Sequence, residues 1–212
     1  MEIISHRGYW ECDEEKNSEI AFLRSFKLGF GTETDLRDSG GRIVISHDIP
    51  RGDELSLMDF FFIYQQSGCA GTLALNIKAD GLQKEVIHQL HSFGIQNYFL
   101  FDMSVPDCLA SLNHGLECFA RFSEFEPKSV LWDKCQGVWY DSFSETELDL
   151  DLINTVINEG KRICIVSPEL HKRNNLPLWE NLLNLNADTL KSDKLILCTD
   201  IPEAARDFFN GK

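Results

Sequence analysis

The sequence predicts an α/β protein of the (β/α)8 class, a small TIM barrel. Three observations predict it. Short apolar, β-branched runs alternate with stretches of helical periodicity through the whole chain, a pattern that implies parallel strand pairing. The length of 212 residues accommodates eight such units at the small end of that class. Polar residues also recur just past the strand runs: His6, Glu33 and Asp35, Asn76 and Lys78, Asp102, Arg121, Asp141, Ser167 and Asp200. In a closed barrel all of these meet at one mouth, whereas a doubly wound open sheet, the alternative, has no such ring. A single domain over residues 1–212 is expected, with no second domain, repeat or low-complexity segment.

The first strand is the apolar run Glu2–Ser5, ending at His6-Arg7-Gly8. A polar loop, Tyr9–Lys16, leads to Asn17 or Ser18 as helix cap; Phe22, Leu23, Phe26 and Phe30 then follow helical spacing, and Gly29 closes the helix. The second strand, Phe30–Leu36, carries Glu33 and Asp35 two apart, so both carboxylates leave on one face. Gly40-Gly41 turns an extra hairpin back through Arg42–Ser46 and delivers His47-Asp48.

From there the chain alternates. Helices are expected at Glu54–Gln66, Leu82–Phe93, Val105–Leu112, Pro127–Lys134, Leu148–Asn158, Leu176–Leu185 and Pro202–Phe209. Strands are expected at Thr72–Lys78, Tyr98–Phe101, Glu117–Arg121, Gly137–Tyr140, Arg162–Val166 and Lys194–Cys198. Only Ile49–Leu55 separates His47-Asp48 from the next helix, which leaves no capping insertion over the mouth.

The formal net charge is −14, which argues against nucleic acid or an anionic membrane as partner. An anionic small molecule therefore needs a local reversal of sign, by a cation or by buried basic residues. The seven cysteines are scattered, odd in number and never spaced as CxxC, which fits a reducing compartment and no zinc site. The opening Met-Glu-Ile-Ile-Ser-His has no leader pattern and no apolar run spans a membrane, so a cytoplasmic protein without membrane anchor is expected. Nothing in the sequence specifies an oligomeric state.

Certain residues suit phosphodiester chemistry. Glu33 and Asp35 can chelate a hard divalent cation through oxygen, or stand as solvated surface charges. His6 and His47 can take or give a proton near neutrality. Arg7 can clamp a phosphate in two-pronged fashion or pair with Glu33 or Asp35, and Lys78 can neutralise a phosphate oxygen. Splitting a phosphodiester needs charge neutralisation, an oriented nucleophile and a proton for the leaving alkoxide, and this set supplies all three.

Together the motifs resemble the glycerophosphodiester phosphodiesterases: His6-Arg7-Gly8; Asn17-Ser18 with Ala21-Phe22 and Gly29; Glu33-Thr34-Asp35; His47-Asp48; Ile77-Lys78; and Thr199-Asp200-Ile201-Pro202. The resemblance runs over nearly the whole chain and is densest in residues 3–48. It implies a TIM barrel and a divalent cation, Mg²⁺ or Ca²⁺. It also implies hydrolysis of a small glycerophosphodiester-like substrate of lipid metabolism to a phosphomonoester and an alcohol. Carried over by position, His6 and His47 match the general acid–base pair, Arg7 the phosphate contact, Glu33 and Asp35 the metal ligands, and Lys78 the strand-3 lysine. Three departures stand out. The family's Glu-x-Lys is Asn76-Ile77-Lys78 here, so Asn76 would coordinate without charge and Asp102 is a further candidate ligand, ahead of Asp141 and Glu169. The insertion after His47-Asp48 is missing, and so is the tryptophan signature on strand 7, where the chain reads Ile165-Val166-Ser167-Pro168-Glu169. A catalytically weakened barrel that binds a phosphorylated ligand without turnover is the second reading. A sugar-phosphate isomerase is a third, disfavoured because the last two strand–helix loops contain no glycine.

Overall fold

The computed structural model describes residues 1–145 and 147–211. Among the described residues, nine strands and eight α-helices follow one another as β1 (Glu2–His6), α1 (Glu19–Lys27), β2 (Gly31–Ser39), β3 (Arg42–Ile45), α2 (Leu57–Ser67), β4 (Leu73–Ile77), α3 (Gln83–Phe93), β5 (Tyr98–Phe101), α4 (Val105–Asn113), β6 (Phe119–Phe122), β7 (Gly137–Tyr140), α5 (Leu150–Asn158), β8 (Arg162–Val166), α6 (Leu176–Leu182), α7 (Ala187–Lys191), β9 (Leu195–Thr199) and α8 (Pro202–Asn210). The chain divides into two compact units, Ser5–Cys118 and Met1–Ile4 with Phe119–Lys212.

In the unit Ser5–Cys118 the strand order is β5-β4-β2-β1, with β3 on β2. The pairs β2·β4 and β4·β5 are parallel, and β2·β3 is the expected hairpin, antiparallel from Leu36↔Ile45 to Ser39↔Arg42 across Gly40-Gly41. Glu117 and Cys118, ahead of β6, bond to β5: Leu100 N donates to Glu117 O at 2.8 Å. Outside the strands, α1, α2 and α3 pack through an aromatic cluster. Phe22 meets Phe60 edge-on at 4.6 Å between ring centroids, Phe26 meets Tyr64 at 5.2 Å, and Phe61 meets Phe93 at 6.1 Å. Phe22, Phe60 and Phe61 are fully buried, each burial stabilising by roughly 1.5–3 kcal/mol. This layer holds β1 and β2, and the site they carry, against the helices.

In the other unit the order is β1-β9-β8-β7-β6, and the pairs β6·β7, β7·β8 and β8·β9 are parallel. Trp179 of α6 is buried between Phe208 and Phe209 of α8, with centroids 5.4 and 5.8 Å away. No helix among the described residues is long and apolar enough to cross a membrane.

Three expected elements differ. Residues 127–134 form consecutive turns rather than a helix: Trp132 N bonds to Ser129 O and Lys134 N to Leu131 O, both i→i+3. Ser129 Oγ also accepts from Leu131 N, a local side-chain bond that competes with helical pairing. The helix expected over Leu176–Leu185 is shorter, and a further helix follows it. The first helix stops at Leu182, and Asn186 starts a second by accepting from Thr189 N at 2.8 Å, as an N-cap does. The helix expected from Glu54 begins at Leu57, because the Glu54 carboxylate binds the Arg51 and Gly52 amides while Ser56 takes the cap.

Candidate functional site

The first corner is built by the backbone of the His-Arg-Gly motif. Arg7 and Gly8 both adopt positive φ, 58° and 81°. Gly8 is required there twice over. A Cβ at this position would fall 2.6 Å from Ala21 Cβ, and its left-handed backbone is one that other residues rarely adopt. The tight passage lets Gly8 N donate to Thr32 Oγ1 (2.9 Å), Tyr9 N to Ala21 O (2.9 Å) and Arg7 N to Glu33 O (2.9 Å). The turn thus locks onto both α1 and β2, and it points His6 and Arg7 at the β2 carboxylates. His6 Nε2 lies 3.8 Å from Glu33 Oε2, and Arg7 Nε lies 3.0 Å from Asp35 Oδ2.

The second corner comes from strand register. On β2 and β4, Glu33 pairs with Ala74 and Asp35 with Asn76, and Asn76 pairs with Phe101 on β5. Parallel partners share a face, so Glu33, Asp35 and Asn76 stand side by side. All three are buried, with Asp35 wholly so. Lys78, just past β4, is anchored by its own N–H on Leu36 O (2.9 Å) and brings Nζ to 3.4 Å from Asp35 Oδ1. Asp35 is therefore flanked by two cations. Glu33 is not: burial, then the neighbouring Asp35 charge, push its carboxyl up to about 7, against the opposing pull of His6, Arg7 and Lys78.

Three oxygens in this cluster are buried and accept no hydrogen bond: Glu33 Oε2, Asp35 Oδ1 and Asn76 Oδ1. An acceptor buried without a donor costs about 1–3 kcal/mol, more when charged. Three on neighbouring register positions form an oxygen-only donor set, the kind that a hard cation such as Mg²⁺ or Ca²⁺ takes. The set is two carboxylates and an amide; among the described residues no group of three or more His, Cys, Asp or Glu is gathered as for a metal ion. Asp102, the other sequence-derived ligand, follows Phe101 with φ 70°; it is Phe101 that shares the register position of Asn76.

His47 follows Ser46, whose N–H bonds to Asp35 O at 3.0 Å, so the hairpin returns it beside the carboxylate strand. It is half-exposed, with Nδ1 2.9 Å from Asp48 Oδ1; that hydrogen bond holds the Asp48 carboxyl below its usual range. His47 shares one cavity with Arg7, about 800 Å³, and another with Lys78, about 630 Å³.

Sequence reading missed Asn17. Ser18, not Asn17, caps α1, accepting from Ala21 N. Asn17 instead takes positive φ (59°) and ties the first turn to β2. Its N–H bonds to Arg7 O (2.9 Å), its Nδ2 donates to Asp35 Oδ2 (2.9 Å), and its Oδ1 accepts from Thr34 Oγ1 (2.8 Å). One side-chain amide thereby fixes the Asp35 carboxylate and leaves Oδ1 as the oxygen without a hydrogen bond. Asparagine's tolerance of the left-handed region was the available signal.

Asp141 and Glu169, the weaker ligand candidates, are engaged within the other unit. Asp141 Oδ1 lies 2.6 Å from His171 Nε2. Glu169 accepts from Ser167 Oγ (2.5 Å), Thr199 Oγ1 (2.5 Å) and Asp200 N (3.1 Å).

No protein-family model matches the chain, and no functionally curated protein does. Solved structures match over its whole length. A glycerophosphodiester phosphodiesterase from Parabacteroides distasonis superposes with a TM-score of 0.75 at 15% identity, covering 99% of this chain and 97% of that one. One from Agrobacterium tumefaciens gives 0.70 at 14% identity, covering 100% of both chains. An Oleispira antarctica phosphodiesterase in complex with the product sn-glycerol-3-phosphate gives 0.65 at 17% identity, covering 99% of this chain and 97% of that one. The likeness shows the fold, a small (β/α)8 barrel, as the alternation predicts.

Proposed function

We propose that this protein is a phosphoric diester hydrolase that splits a small, glycerophosphodiester-like molecule into a phosphomonoester and an alcohol. The observation that carries the reading is the trio of buried oxygens without hydrogen bonds, Glu33 Oε2, Asp35 Oδ1 and Asn76 Oδ1, with His6, Arg7 and Lys78 beside the carboxylates and His47 in the cavities that Arg7 and Lys78 line. The matching fold of solved glycerophosphodiester phosphodiesterases supports the same reading.

Glu33, Asp35 and Asn76 would hold a divalent cation, Mg²⁺ or Ca²⁺, with Asp102, just past the end of β5, as a further candidate carboxylate. When bound it supplies charge neutralisation at a phosphate oxygen. The chain's own residues do the rest. Arg7 and Lys78 offset the remaining phosphate charge, which releases part of their attraction to Asp35. One imidazole takes a proton from water or from a substrate hydroxyl, and the other returns one to the leaving alkoxide. His47 sits in the more open position, beside the exposed Asp48 and both cavities, and suits the proton donor to a departing alcohol. His6, largely buried beside Glu33, suits the base.

The test is ³¹P NMR of glycerophosphocholine and glycerophosphoethanolamine incubated with purified protein and Mg²⁺ or Ca²⁺. A phosphomonoester signal that disappears in His6→Ala supports the reading, and a transient cyclic phosphate identifies attack by an internal hydroxyl. The absence of any product with either cation counts against it. Asn76 motivates the second reading, a barrel that binds a phosphorylated ligand without turnover. Glycerol phosphate would then raise the Tm while no diester is cleaved, and Asn76→Glu would confer both tighter cation binding and cleavage.

A further inference from the structure

The cavity of about 630 Å³ is lined by Arg37, His47, Asp48, Ile49, Arg51 and Lys78. Three of these six side chains are permanent cations and one is an anion, in a chain with 20 Lys and Arg against 34 Asp and Glu. The adjoining 800 Å³ cavity leans the other way, through Asp13, Glu14, Glu19, Asp53 and Glu54. The basic cavity is thus a local reversal of the charge carried by the rest of the chain.

Arg37 is built into it. It stands on β2 two residues beyond Asp35 and four beyond Glu33, so all three leave one face of the strand. Its Nη2 donates to His47 O at 3.1 Å, which holds the guanidinium at the base of the hairpin. Its Nε is buried and makes no hydrogen bond. Among the described residues, neither Arg37 nor Arg51 forms an ion pair with a carboxylate, whereas Lys78 pairs with Asp35. A held guanidinium that lines a cavity with a second arginine, neither of them in an ion pair, is a seat for an anion. The reacting phosphate already has Arg7 and Lys78, so these two arginines answer a different negative group.

Resting on the phosphodiesterase reading, we propose that Arg37 and Arg51 form a second anion subsite, and that the substrate carries a further anionic group, a carboxylate or a phosphomonoester, beyond its diester. The binding test needs no turnover. Calorimetry compares glycerol 2-phosphate with 2-phosphoglycerate, which adds a carboxylate, and with 2,3-bisphosphoglycerate, which adds a phosphomonoester as well. The expected result is a roughly 10- to 100-fold tighter Kd for a probe with an added anionic group than for glycerol 2-phosphate, with the gap closed in Arg37→Gln/Arg51→Gln. Equal affinities in the wild type, or a gap that survives in the variant, overturn the proposal. Arg51→Gln alone, on an exposed loop, serves where the double variant does not fold. The turnover test compares glycerophosphoserine with glycerophosphoethanolamine, which differ by one carboxylate. A kcat/KM ratio of roughly ten or more, falling towards one in the variant, supports a carboxylate in the subsite; a ratio that exceeds one and is unaltered by the substitutions contradicts it. If neither diester is cleaved while the arginine-dependent binding gap is present, the phosphodiesterase reading fails and the anion subsite stands.

Discussion

One carboxylate cluster in each compact unit makes an instructive pair, because the two are treated in opposite ways. In Ser5–Cys118, Glu33 and Asp35 are buried with one oxygen each that accepts no hydrogen bond, and Asn76 beside them repeats the pattern. In the other unit, Glu169 accepts from two hydroxyls and a backbone amide, and Ser167, one of those donors, itself accepts from Trp179 Nε1 at 2.8 Å. The second arrangement is a closed network that pins β8, β9 and α6 together. The first is open, and it costs stability unless something outside the chain completes it. The saturated Glu169 serves the packing of its own unit, and the unsaturated Glu33 and Asp35 are the pair proposed to bind.

The largest consequence falls on activity. His6→Ala should lower kcat/KM for a glycerophosphodiester by ~10²–10⁴-fold, while circular dichroism and Tm stay close to wild type. Equal activity in the variant would remove His6 from the acid–base pair. On the structural side, Phe60→Ala should cost about 3–5 kcal/mol, because Phe60 is fully buried among Phe22, Phe26 and Phe61. Urea unfolding measures it, and a loss under about 1 kcal/mol would mean that the helix layer repacks.

Much of this was legible in the sequence, for a local reason. The strand runs, the Gly40-Gly41 hairpin and the same-face spacing of Glu33 and Asp35 are properties of neighbouring residues, and periodicity displays them. His6, Arg7, Lys78 and Asn76 were found because each lies at or just past a strand end. What stayed hidden depends on partners distant in sequence or on competing local bonds. Asn17 looked like a cap, but its partners, Thr34 and Asp35, are 17 and 18 residues away. Arg37 continues the Glu33, Asp35 face, yet its unmet donor and its cavity appear only once the hairpin brings His47 over it. The turns at 127–134 and the break before Asn186 turn on side-chain-to-backbone bonds that helical periodicity does not report.

Smaller effects sharpen the contrast between the units. Asn17→Gly keeps the left-handed backbone and removes the amide that holds Asp35, so cation affinity should fall roughly tenfold, one lost hydrogen bond to a charged group, with the fold intact. Unchanged affinity by calorimetry would reduce Asn17 to a turn residue. The acid limb tests Glu124, whose carboxyl is brought down to about 2: its partial burial opposes the shift, and the Ser144 hydroxyl with the Phe143 and Ser144 amides outweigh it. A depressed folded-state pKa contributes stability above the ordinary carboxylate range and loses it as pH falls towards 2. Glu124→Gln should therefore flatten the decline in unfolding free energy between pH 4.5 and 2 slightly, by under about 1 kcal/mol because the group is little buried, as urea unfolding across that range measures. An unchanged decline would remove Glu124 from the acid response.

The most direct test of the account sets one carboxylate against the other. Mg²⁺ and Ca²⁺ are titrated by calorimetry into wild type, Glu33→Gln and Glu169→Gln, with the Tm of each metal-free protein recorded. Wild type is expected to bind one cation, Glu33→Gln to bind it roughly 10- to 100-fold more weakly with no loss of Tm, and Glu169→Gln to keep the affinity and lose Tm. A wild type that binds neither cation, or a Glu169→Gln variant that loses the affinity while Glu33→Gln retains it, would contradict the account.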